Sequence, residues 1–126
     1  MKQYFCIIII IISSLSIFSQ QVPDGIIHAF EKGDAKELTL YMHDNIELKI
    51  LEKEYVTSKN QASRIIEKFF HDYPPLSFKV NYDGSKKESN YSQGKLKSQK
   101  ALFNVNLYFM EGKKNRTIYY LSIEKI

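Results

Sequence analysis

Of the 126 residues only one is cysteine and none is tryptophan, and glycine (5), proline (3) and histidine (3) are scarce. The cysteine, Cys6, sits inside an N-terminal apolar stretch that the working protein is expected to lose. The remaining chain then has no disulfide, no thiolate metal site and no cysteine nucleophile. There is no Gly-x-Gly-x-x-Gly, no Walker loop and no Gly-x-Ser-x-Gly elbow, so the usual phosphate cradles and the hydrolase nucleophile turn are excluded. His28, His43 and His71 stand on separate elements without a His-x-x-x-His or His-Glu pairing, which argues against metal. Arginine is limited to Arg64 and Arg116, a poor footprint for nucleic acid. No cofactor is implied.

What is present begins with a leader. Lys2 precedes Tyr4, Phe5 and Cys6, an isoleucine run over residues 7–12, and then Ser13, Ser14, Leu15, Ser16, Ile17, Phe18 and Ser19. A charged start, a short apolar core and small residues near the end describe a secretory signal peptide over residues 1–19. The run is too short and too serine-broken for a good membrane span of about 20 apolar residues. An uncleaved anchor is the alternative. A lipoprotein cysteine would follow the apolar run, whereas Cys6 lies before its isoleucines. The expected destination is the periplasm or the outside of the cell.

Residues 20–126 are expected to form one domain, and a chain of that size buries roughly 65% of its unfolded surface. Its charge is unevenly spread. The stretch from Lys86 to Arg116 carries eight basic and two acidic residues, and the rest of the mature chain nine basic and twelve acidic.

Hydrophobic periodicity divides this domain into helices followed by strands. Pro23-Asp24 opens a short helix with Ile26, Ile27 and Phe30 on its buried side, and Gly33 stops it. Asp34 caps a second short helix. Ile46, Leu48 and Ile50 alternate with Glu47 and Lys49 as a half-buried strand, and residues 54–57 make a brief second one. Ser58-Lys59-Asn60-Gln61 fits a capping box. From it, Ala62, Ile65, Ile66, Phe69, Phe70 and Tyr73 form one helical stripe that Pro74-Pro75 ends. The period then becomes two. Phe78, Val80 and Tyr82 alternate; residues 91–98 form a weaker strand in which Gly94 is expected to mark a bulge. Ala101, Phe103, Val105, Leu107 and Phe109 make the clearest strand, and Tyr119, Leu121 and Ile123 share one face of the last. Helices followed by a four-strand meander give an α+β class, with the long helix across an open, curved, mainly antiparallel sheet.

The ordered segments Asp24-Gly25-Ile26-Ile27-His28-Ala29-Phe30, Gly33-Asp34-Ala35, Asn45-Ile46-Glu47-Leu48, Ser58-Lys59-Asn60-Gln61-Ala62, and Phe69-Phe70 through Pro74-Pro75 to Ser77-Phe78 carry a resemblance. Together they resemble the family catalogued as domain of unknown function 4783, small exported proteins of Bacteroidota. The resemblance covers nearly all of residues 22–126. It implies a nuclear transport factor 2-like, or cystatin-like, cone. It implies no established activity, and so assigns no functional residue.

Candidate sites follow from where the residues should face. Phe30, Phe69, Tyr82, Tyr91, Phe109 and Tyr119 are expected inside the cone as a pocket for a small apolar or amphipathic ligand. The predicted interior has no carboxylate and no histidine, which favours a non-enzymatic binding or interaction module. The enzyme alternative is a lyase or isomerase with Tyr82, Tyr91 or Tyr119 as proton donor and His28 as base. Leu102, Tyr108, Met110, Ile118 and Tyr120 should share the outer sheet face, more apolar than a solvated face needs, and are read as a homodimer interface. Lys86, Lys87, Lys113, Lys114 and Arg116 should gather at one end of the meander. They are read either as a patch for an anionic envelope component or as solubilising hairpin tips.

Overall fold

The computed structural model describes residues 22–84, 90–111 and 116–126. Its elements are helix α1 (Asp24–Lys32), helix α2 (Ala35–Thr39), strands β1 (Met42–Ile50) and β2 (Lys53–Ser58), helix α3 (Lys59–Asp72), and strands β3 (Pro75–Asp83), β4 (Tyr91–Ser98), β5 (Leu102–Glu111) and β6 (Arg116–Lys125). The strands form one sheet in the order β2-β1-β6-β5-β4-β3. All neighbours run antiparallel except β1 and β6, which run parallel. This is the α+β plan expected from the sequence.

Local chemistry sets the helix ends. Pro23 precedes α1, where its missing N–H costs nothing. Gly33 closes α1 in the left-handed region (φ 70°), a conformation cheap only without a Cβ. The Asp34 side chain accepts the Glu37 N–H at 3.0 Å and caps α2. Ser58 accepts the Gln61 N–H at 3.2 Å, so half of the expected capping box forms. The other half does not, because the Gln61 side chain accepts from Arg64 instead, at 2.7 Å.

The three helices cover one face of the sheet. Ile26, Phe30, Leu38, Ala62, Ile66, Phe69 and Phe70 meet Ile46, Leu48, Phe78, Leu96, Phe103, Val105, Leu107, Phe109, Leu121 and Ile123, all of them buried. Asp83 pins the start of the domain: one carboxylate oxygen accepts the Val22 N–H and the other the Ser92 hydroxyl, each at 3.2 Å.

Of the four register shifts in the sheet, two set which way the tyrosines of β3 and β6 face. Val80 pairs with Gly94 but Tyr82 pairs with Gln93, so Asn81 is the extra residue and the bulge lies in β3. Strand β4, where the bulge was expected, keeps an unbroken register with β5 from Tyr91 to Lys97. In β6, Ile118 pairs with Phe109 and Tyr120 with Tyr108, leaving Tyr119 as the extra residue. Each bulge reverses the in–out alternation beyond it.

Candidate functional site

The interior of the cone is filled with rings. Phe30 stacks on Phe78, with centroids 4.6 Å apart and planes inclined by 24°, and meets the edge of Phe70 at 6.0 Å. Phe69 and Tyr73 each meet Phe103 edge-on, at 5.1 and 5.0 Å. Phe109 is buried beneath the Arg116 guanidinium, 4.5 Å above its ring. Phe30 and Phe109 are therefore packed core rather than the open pocket wall expected from the sequence.

Open space lies instead at the edge of the cone, between α3 and the β1–β2 hairpin. Ile50, Leu51, Tyr55, Ile65, Phe69 and Tyr73 wall a groove of about 320 Å³, and Glu52, Lys53, Lys68 and Asp72 border it. Of the expected pocket residues only Phe69 reaches it. The hairpin turns on Leu51 and Glu52, between the paired residues Ile50 and Lys53. Leu51 is the only non-glycine residue with positive φ (60°) among the described residues. A left-handed conformation costs a side-chain-bearing residue about 1–2 kcal/mol. Two contacts hold Leu51 there: its N–H donates to the Ile123 carbonyl at 2.8 Å, and its side chain packs on the core. On the rim, Lys68 pairs with Asp72 at 3.4 Å, and the Lys100 ammonium lies 5.8 Å from the Tyr73 ring centroid. Leu51 and Tyr55 line this groove and are not among the pocket residues expected from the sequence. The available signal was an apolar residue at a two-residue turn, where glycine or asparagine is the cheap choice.

The other candidate tyrosines are on the opposite face of the sheet. Tyr82 is 39% exposed and Tyr119 38%. The β3 bulge turns Tyr82 outward, the β6 bulge does the same for Tyr119, and the regular register of β4 does so for Tyr91. Five tyrosines thus form a band across four strands. Ring centroids are 5.8 Å apart for Tyr82–Tyr91, 4.9 Å for Tyr91–Tyr108, 5.4 Å for Tyr108–Tyr120 and 6.3 Å for Tyr108–Tyr119. A polar network adjoins the band. Asn106 Oδ1 accepts from the Tyr91 hydroxyl at 2.7 Å and from Gln93 at 3.0 Å, while Asn106 Nδ2 donates to Ser122 at 2.9 Å.

Burial, helped by the neighbouring phenols Tyr108 and Tyr82, raises the Tyr91 pKa above its ordinary value. Burial also raises that of Tyr120; Lys49 opposes this, and Glu124 and Glu54 add to it. Lys49 is itself held above the ordinary lysine value, first by its hydrogen bond to Glu124, with which it forms a 3.4 Å ion pair.

The proposed acid–base set is not brought together. The His28 side chain is 54% exposed, and its Nδ1 lies 2.7 Å from a Glu37 carboxylate oxygen on the helical side. Tyr82, Tyr91 and Tyr119 are across the sheet from it. Among the interface candidates, Leu102, Tyr108, Met110 and Tyr120 face outward, but Ile118 is fully buried, because Tyr119 is the bulged residue beside it. Of the basic cluster only Arg116 is described. Its Nη2 is buried with no hydrogen-bond partner among the described residues. Lys86, Lys87, Lys113 and Lys114 lie outside the described residues. Among the described residues no three His, Cys, Asp or Glu side chains gather as a metal site, and no helix is long and apolar enough to cross a membrane.

Helices laid over one face of a six-stranded, mostly antiparallel sheet define a nuclear transport factor 2-like, or cystatin-like, α+β protein. The chain belongs to the family described as domain of unknown function (DUF4783), whose model matches residues 23–124. The crystal structure of a DUF4783 family protein from Bacteroides ovatus is similar at 30% identity. It matches 85% of this chain and 97% of its own, with a TM-score of 0.78. The corresponding Bacteroides uniformis structure is 32% identical, with 83% and 97% covered and a TM-score of 0.77. An NTF2-like protein of unknown function from Shewanella baltica shares the fold alone, at 9% identity, 82% and 86% coverage and a TM-score of 0.57. Comparison with curated proteins finds no match.

Proposed function

We propose that this protein is an exported, non-enzymatic binding module that holds the apolar part of a small amphipathic ligand in the groove beside α3. The observation that carries this reading is the groove itself: about 320 Å³ of open space with an apolar wall and charges of both signs at its border. Ligand sites have this composition, an apolar lining with a few polar groups that orient the ligand. The volume is at the small end of such sites and suits a short chain or a single ring system.

Two further features support the reading. The cone interior is occupied by its own aromatic side chains, so on the helical side the groove, among the described residues, offers apolar surface to a ligand. Leu51 keeps a full side chain at a turn position that favours glycine, and that side chain forms part of the wall. The exported placement rests on the leader, residues 1–19.

The test uses the mature chain and the fluorescent amphipath 1-anilinonaphthalene-8-sulfonate. Ile65 is half-buried on the groove wall, and Ile65→Trp fills the space from the helix side. The expected result is saturable emission enhancement with the native chain and little or none with Ile65→Trp, at an unchanged unfolding temperature. Equal emission from both proteins, or none from either, rejects the groove.

A further inference from the structure

The solvent face of the sheet carries a second concavity that the groove reading does not use. Tyr108, Tyr119, Tyr120 and Glu47 line an open dish of about 320 Å³. Strand pairing builds it: Glu47 of β1 lies beside Tyr120 of β6, Tyr120 lies opposite Tyr108 of β5, and the bulge pushes Tyr119 out beside them. We propose that this dish binds a methylated ammonium head group.

The Tyr108 ring is inclined by 70° to Tyr120 and by 59° to Tyr119. Rings set this way do not offer a common plane on which a flat sugar or base could stack. They form a corner, which suits a roughly spherical group touching more than one ring. Aromatic faces attract cations through their quadrupole, and quaternary ammonium groups are the ligands such corners recognise.

Glu47 borders the dish and has no ion-pair partner among the described residues. Glu54 and Glu124 are close enough to act on the Tyr120 phenol. The one cation that also acts on it, Lys49, is paired with Glu124. Three carboxylates against one engaged ammonium leave a local deficit of positive charge. The Tyr120 phenol stays a neutral hydroxyl at physiological pH, since burial holds its proton more tightly than usual.

The dish favours methylated over primary ammonium. A lysine-type ammonium is compact and strongly hydrated, and an open dish lined largely by tyrosine rings replaces that hydration poorly. Methyl groups spread the charge and present apolar surface, which the ring faces meet without requiring three acceptors.

The test titrates the mature chain, labelled at its tyrosine rings, with choline and separately with 3,3-dimethylbutan-1-ol, its neutral carbon isostere, at constant ionic strength. The expected result is saturable shifts of the Tyr108, Tyr119 and Tyr120 ring resonances with choline and none with the alcohol. Tyr119→Leu keeps apolar area but removes one ring face, and Glu47→Gln removes the bordering charge. Each should weaken choline binding several-fold, up to about ten-fold, in line with a cation–π or exposed charge contact, and an unchanged affinity in either variant overturns the proposal. Both positions are exposed, so folding is expected to survive, and either variant alone decides the matter. Equal binding of the alcohol overturns the proposal, as does the absence of shifts. Sedimentation of the same samples identifies the competing occupant. A dimer that shields these rings and ignores choline overturns the proposal in favour of a second copy of the chain on this face.

Discussion

Gly94 on β4 lies directly beneath the Phe78 ring of β3: a Cβ built on Gly94 would come within 2.4 Å of Phe78 Cζ and 2.6 Å of Cε1. Phe78 in turn stacks on Phe30 of α1. The missing side chain is therefore what lets the ring lie across the neighbouring strand and carry the contact from sheet to helix. Gly94→Ala should destabilise the domain by about 1–3 kcal/mol, the usual cost of overpacking a filled core. Urea unfolding checks this. A midpoint unchanged by the added methyl would show that Phe78 moves freely and that the stack is not tightly held.

Asp83 joins three points of the chain, because its carboxylate takes the Val22 N–H and the Ser92 hydroxyl at 3.2 Å each. Val22 is buried, although it stands at the first described position. Asp83→Ala should leave the Val22 amide without this acceptor and loosen the entry to α1. The expected loss is about 1–3 kcal/mol, in the range for removing an acceptor of charge-assisted hydrogen bonds. Hydrogen exchange should quicken at Val22 more than in β5. A uniform change across the domain would mean that the anchor has no local role.

Much of this architecture was legible from local chemistry. The caps at Asp34 and Ser58, the stop at Gly33, the stripe from Ala62 to Phe70 and the alternation of β5 each depend on nearest neighbours along the chain. The tyrosines were not legible, for a reason specific to sheets. A strand's facing is read by parity, and one extra residue reverses it. Asn81 and Tyr119 are such residues; tyrosine is an ordinary strand residue, and a lone asparagine, though uncommon in strands, does not by itself mark a bulge. Tyr91 failed in the opposite way: Gly94 suggested a bulge, but the glycine is there to admit Phe78. The groove is not legible in the sequence because its wall combines residues from a helix and a hairpin tip, which only the tertiary fold brings together.

Leu51 offers a way to separate stability from binding. Leu51→Gly relieves a left-handed side-chain-bearing residue, a gain of about 1 kcal/mol, and removes a half-buried side chain, a loss of similar size. The unfolding free energy should therefore change by less than about 1 kcal/mol. Binding of the fluorescent amphipath should nevertheless fall, because part of the groove wall is gone. Unchanged binding would show that the Leu51 side chain is kept for packing alone.

The tyrosine band also gives the fold a signature at high pH. In the folded protein Tyr91 and Tyr120 hold their protons more tightly than the ordinary value of 10.0, with burial the main cause in both. Above pH 10 the unfolded chain releases these protons first, so it binds fewer than the native state and stability falls as pH rises. Lys49, raised above 10.5 chiefly by its bond to Glu124, acts in the same direction. All three contributions are intact below about pH 10 and are lost as pH climbs through the folded values. Thermal unfolding followed from pH 8 to 11 should thus show a nearly level midpoint that turns down above pH 10. Tyr120→Phe removes one of the titrating groups and should make that decline shallower, while the ring keeps its contact with Tyr108. A decline as steep in Tyr120→Phe as in the native chain would assign the loss to the other lysines and tyrosines of the domain and would remove the Tyr120 phenol from the account.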